Sequence, residues 1–100
     1  MEQIEQLQIA KRTGYAKSHY HVYNSLMKFN GHLDIYFSDI DILWLKKYEE
    51  WQRANGDAEN SIGIRFRTLR VVYNHAIEEN LVKEEYYPFR KFKISRLHEV

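Results

Sequence analysis

The chain is 100 residues long, the size of one domain. Hydrophobic residues at 44% and aromatics at 15% supply a core and argue against disorder, while the absence of cysteine excludes disulfide scaffolds, thiolate zinc sites and thiol catalysis. Fifteen Lys and Arg against 14 Asp and Glu leave a net charge of +1, a total that says nothing about how the charge is distributed.

No apolar run comes near the ~20 residues that a membrane span needs. Met1-Glu2-Gln3 has neither the basic flank nor the apolar stretch of a signal peptide. A cytoplasmic protein without membrane contact is the expectation. One proline and four glycines leave few chain breaks, which favours long helices over a strand-and-turn barrel.

Four helical segments follow in chain order. The first, near Glu2 to Lys11, is short, with Ile4, Leu7 and Ala10 three apart, and Thr13-Gly14 breaks it. The second runs from about Tyr15 to Phe29, with Ala16, His19, Tyr23 and Met27 recurring at helical spacing, and Asn30-Gly31 ends it. Leu33 to Phe37 reads as an extended connector whose Phe37, with Ile40, plugs the core.

Asp41 is suited to cap the third helix, which carries Leu43, Trp44, Tyr48 and Trp51 on one face and stops at Asn55-Gly56. After a polar loop over residues 57–60, Ser61 is the expected cap of the fourth helix, from Ile62 to about Glu79. Its apolar stripe is Ile62, Phe66, Leu69, Tyr73 and Ala76, and Asn80 closes it. Tyr86 to Ile94 alternates apolar and basic residues around the single proline and reads as an extended segment leaving the domain.

Charge is segregated along this order. Residues 34–59 are acidic, with Asp34, Asp39, Asp41, Glu49, Glu50, Asp57 and Glu59 against Lys46, Lys47 and Arg53. Residues 60–77 hold Arg65, Arg67 and Arg70 and no acid, and the tail holds Arg90, Lys91, Lys93 and Arg96. Such a pattern makes one face positive while the total stays near zero.

Catalytic chemistry finds no support. His19 and His21 are two apart on a helix, so they point to different faces and cannot share a metal. Glu49-Glu50 and Glu78-Glu79 read as solvated charges, and no glycine-rich phosphate loop or nucleophile elbow is present. Neither metal nor cofactor is expected.

Two polar stripes point to nucleic acid instead. On the fourth helix Gly63, Arg67, Arg70 and Asn74 fall on one line opposite the apolar face, at an N-terminal end read as free of acids. On the second helix Lys17, His21, Asn24 and Lys28 form a comparable line, with no acid between Lys11 and Gly31. Arg forks and Asn amides read purine edges, and Lys, Ser and Thr hold phosphates.

The run from Asn60 to Ile77, with Leu69-Arg70, Tyr73-Asn74 and Ala76-Ile77, resembles the last major helix of the core-binding domain of tyrosine site-specific recombinases, the phage integrase family. Glu79-Asn80-Leu81-Val82 is similar to its ending, and Pro88-Phe89 with Lys91 and Lys93 to its exit strand. Thr13 to Ser18, then Asn24-Ser25-Leu26 and Phe29, resemble its first DNA-facing helix, and Phe37 to Asp41 the turn before its middle helix. Arg65 stands where the family often has an aromatic, and Tyr87 where Asn is common.

The resemblance implies an all-α, SAM-like four-helix bundle over residues 1–85, with 86–100 an extended linker toward a catalytic domain. It implies docking on the recombination site of double-stranded DNA during integration or excision, with the second and fourth helices in the major groove. Thr13, Lys17, His21, Asn24, Ser61, Gly63, Arg67 and Arg70 are then the candidate contacts, Thr13 and Ser61 holding phosphates near helix N-termini. None of the eight tyrosines here would be the recombinase nucleophile, so the chain by itself is expected to lack enzymatic activity, and in isolation it is expected to be a monomer. Other protomers of the recombinase would be its protein partners.

Two alternatives remain open on the residues. One is a helical protein-interaction module without DNA affinity, suggested by the acidic third helix. The other is a helix-turn-helix regulator, which lacks a short turn joining two helices at recognition spacing.

Overall fold

The computed structural model describes residues 20–31 and 35–94. They form three α-helices, α1 (Tyr20–Asn30), α2 (Ile42–Ala54) and α3 (Glu59–Glu78), with 3₁₀ turns at Phe37–Asp39 and Glu84–Tyr86 and no β-strand. These helices are the second, third and fourth expected from the sequence. The expected first helix lies outside the described residues, as do 32–34 and 95–100. No described helix is long and apolar enough to cross a membrane.

The all-α expectation holds, and the registers differ in instructive ways. On α1 the buried side is Val22, Ser25 and Leu26, with Phe29 packed on the core, whereas Met27 is exposed. The expected line through Tyr23 and Met27 is off by one position, which turns a helix face by roughly 100°. Val22, Leu26 and Phe29 make the more continuous apolar line, so core packing selects it.

Asp41 caps α2 as expected, its carboxylate accepting the Trp44 N–H at 2.8 Å. The far end closes in a Schellman pattern, with Asp57 N–H on Gln52 O and Gly56 N–H on Arg53 O, both at 3.0 Å. That pattern needs a left-handed residue, and Gly56 supplies it at φ +90°. Between these ends α2 buries Leu45 and Tyr48 and half-buries Trp44 and Trp51. Leu43, expected on the aromatic face, is 60% exposed instead.

α3 starts earlier than expected. Ala58 is the cap residue, its carbonyl accepting the Ile62 N–H at 3.0 Å, so Ser61 lies inside the first turn and caps nothing. The stripe Ile62, Phe66, Leu69, Tyr73 and Ala76 is buried throughout, as expected. Asn80 ends the helix at φ 62°, with Leu81 N–H on Ala76 O at 2.8 Å.

The C-terminal segment does not leave the domain. Phe92 N–H bonds Pro88 O at 3.0 Å, and this turn sends Phe89, Phe92 and Ile94 into the core. Phe92 lies against Phe66 with ring centroids 5.0 Å apart, and Tyr87 and Phe89 both meet the Tyr73 ring edge-on. The apolar residues that alternate with Arg90, Lys91 and Lys93 are therefore core residues, and the helical unit extends to Ile94 rather than ending at 85.

Two hydroxyls are buried with this core. Tyr48 donates to Ser25 Oγ at 2.6 Å, joining α2 to α1. The Tyr73 hydroxyl lies 3.3 Å from Phe37 O and 3.2 Å from Tyr86 O, joining the connector and the C-terminal segment through α3. Burial pushes the Tyr48 phenol up to about 12, moderated by the Ser25 bond, and burial raises Tyr73 as well.

Leu69→Ala should cost about 2–5 kcal/mol, the range for truncating a buried leucine. Arg67→Ala, on the outer side of the same helix, should stay within about 0.5 kcal/mol. Urea unfolding of both variants checks the contrast.

The phenols give an alkaline prediction. In the unfolded chain Tyr48 ionises near its usual value of about 10, while the folded chain holds the proton to about 12. The associated stability is complete below about pH 10 and falls as pH rises through about 12. Phenolate absorbance should show a late-titrating fraction in the folded protein. Tyr48→Phe should shrink both that fraction and the loss of stability over this window.

Candidate nucleic-acid interface

The cations of the helical unit divide into those already engaged and those facing outward. Arg53, near the end of α2, donates through Nε and Nη2 to the Glu59 carboxylate at 2.7 and 2.8 Å, and through Nη1 to Glu49. These hydrogen bonds hold Glu59 below the usual carboxylate range and raise the guanidinium. Glu49, read from sequence as a solvated charge, is buried at 6% exposure, because its i+4 neighbour Arg53 neutralises it. Arg65 donates from Nη1 to Asp57 at 2.8 Å and to the buried Gln52 amide oxygen at 3.0 Å. Both arginines thus clamp the α2–α3 turn.

Arg67 and Arg70 are different. They are half-exposed, one turn apart, and neither has a carboxylate partner among the described residues. Asn74 continues the same side and is exposed. This line flanks the apolar face rather than standing opposite it, since Gly63 on the same line is buried and presents no surface. The side facing directly away from the core carries Ile64 and Val71, 49% and 47% exposed, which the polar-stripe reading missed. The signal was present: they are seven apart and fall between the positions of the buried stripe.

On α1, His21, Asn24 and Lys28 are all exposed at i, i+3 and i+7, so this part of the expected stripe is a surface. Thr13 and Lys17 lie outside the described residues. Structure thus brings His21 together with Asn24 on α1, and Arg67 with Arg70 on α3.

Ser61 loses its expected capping role. It is half-buried inside the first turn, the helix start carries Glu59, and that carboxylate is held by Arg53. The N-terminus of α3 is therefore not the acid-free end expected from sequence, and the acid it carries is paired with Arg53.

The C-terminal segment borders the α3 surface. Asn74, Ile77 and Glu78 share an open depression with Glu84, Tyr87 and Arg90. Arg90 is tied there to Glu84 at 3.2 Å and lies over the Tyr87 ring at 5.6 Å. A second shallow groove runs between the start of α2 and this segment, lined by Ile42, Leu43, Tyr86, Tyr87 and Pro88 with Asp41, Glu85, Arg90 and Lys91.

No curated protein and no solved structure matches the chain significantly. The family model of the phage integrase SAM-like domain matches residues 1–94, which takes in all three helices and the C-terminal turn. With nearly its whole length matched and a helical core to fit, the chain belongs to the phage integrase SAM-like domain family.

Proposed function

We propose that the chain is the DNA-docking, core-binding domain of a tyrosine recombinase, and that it lays the outer sides of α1 and α3 on the duplex of a recombination site. The observation that carries the reading is the α3 surface from Asn60 to Ile77, where Arg67 and Arg70 have neither a local acid nor a carboxylate partner among the described residues. Unpaired arginines beside an exposed Asn are suited to phosphates and purine edges. His21, Asn24 and Lys28 on α1 are a second polar surface of the same kind. The catalytic chemistry belongs to a further domain of the recombinase, and neighbouring protomers on the same DNA are the protein partners of this one.

A second reading, a protein-interaction module, draws on the groove beside α2, where Leu43 and Tyr86 are exposed. Duplex binding separates the two. A single domain holding one side of the DNA should bind weakly, in the ~10⁻⁴–10⁻⁶ M range typical of non-specific contact at physiological salt. Arg67→Ala and Arg70→Ala should each weaken binding and lower the slope of log affinity against log salt by about one. Lys46→Ala and Lys47→Ala on α2 should change neither. An NMR titration should shift residues along α1 and α3. Shifts confined to 41–43 and 85–91, or no response to duplex at low salt, would favour the interaction module.

A further inference from the structure

The outward side of α3 carries an apolar pair that neither the core nor the arginine line explains. Ile64 and Val71 are about half exposed, β-branched, and separated by two turns, which places them about 10.5 Å apart along the axis. Burial of such side chains is favourable, so a pair left facing solvent on one line has affinity for an apolar partner. The surrounding charge narrows what that partner is. Arg67 and Asn74 border the pair on one side, and no acid lies between Glu59 and Glu78. The complementary surface is therefore anionic with apolar points inside it. A DNA major groove offers this combination, because phosphates line its edges and the thymine C5-methyl is its one apolar group.

We propose that Ile64 and Val71 are specificity-determining residues that contact thymine methyls, so that α3 prefers major-groove sites with thymine at matching positions. The inference rests on the DNA-docking reading above. Their axial separation of about 10.5 Å is on the scale of two to three base steps along the groove floor. Val71 and Asn74 are i, i+3 neighbours on one side of the helix. Val71 on a thymine methyl therefore leaves the Asn74 amide placed for N6 and N7 of the adenine in the same pair. Arg67, between the two apolar contacts, serves phosphate or guanine and is indifferent to the methyl.

Uracil differs from thymine only by the missing methyl, and this supplies the test. Duplexes are first selected by the full chain from a random-sequence pool. Binding of each is then compared in thymine and in uracil form, together with NMR of the Ile64 and Val71 methyl groups. Thymine is expected in the selected consensus, with tighter binding of the thymine form by about fourfold for each methyl contacted. The Ile64 and Val71 methyl resonances should shift on the thymine duplex and shift less on the uracil one. Val71→Ala and Ile64→Ala, both at exposed positions, should fold normally and each lose the discrimination at one position. Arg67→Ala should weaken both forms equally. Equal binding of both forms by the unaltered chain, or a consensus without thymine, overturns methyl readout and leaves DNA docking standing. Absence of binding to any duplex at low salt overturns both.

Discussion

Tyr48 is the point at which the three helices meet. Its hydroxyl reaches Ser25 on α1, its ring lies 5.1 Å from Phe29 of α1 and 5.4 Å from Phe66 of α3, and Trp44 and Trp51 flank it on α2. A phenol here fills volume and satisfies the one polar group it brings inside, which a phenylalanine would not need and a smaller residue could not do. Phe66 then passes the packing on to Phe92, and Tyr73, two turns further along α3, repeats the arrangement for the connector and the C-terminal turn. Two buried tyrosines thus tie α1, α2, the connector and the C-terminal segment to α3.

This arrangement suits α3 to the DNA-docking role proposed for it. Its inner side is fixed by contacts from both other helices and from the C-terminal turn, and its start is fixed by the Arg53 and Arg65 clamps. Side chains on the outer side are therefore carried on a rigid rod. Binding then does not bear the cost of ordering that backbone. Glu59 and Asp57, which would otherwise place negative charge near the cationic line, are each neutralised by an arginine within about one side chain's reach.

Much of this was legible in the sequence, and what was not has definite causes. The α3 stripe could be read because large apolar residues alternate at three and four, a pattern that no other face of the segment matches. Asp41 could be read because a carboxylate directly before a helical run has one well-defined local use. The C-terminal segment could not. Alternating apolar and basic residues around a proline describe an exit strand and an inward-folded turn equally well, and only the waiting edges of Phe66 and Tyr73 decide between them. The register of α1 failed for a related reason, since two apolar lines compete and tertiary contact chooses. At the candidate site Arg67 and Arg70 were legible from the missing acids, whereas the engagement of Arg65 was not, because Gln52 and Asp57 reach it only across the folded turn.

The near-neutral composition is compatible with a DNA surface because of where the pairing occurs. Charges closer than a Debye length, about 8–10 Å near physiological salt, cancel or reinforce locally, and more distant exposed ones are screened. Glu49, Asp57 and Glu59 are held by Arg53 and Arg65, and Arg90 is held by Glu84. Among the described residues, Arg67 and Arg70 are the arginines of α3 without a carboxylate partner, so the local charge there is positive although the chain carries only +1 in total. Net charge is therefore the wrong quantity for this fold. The relevant one is the charge left over after the helical unit has tied its own turns.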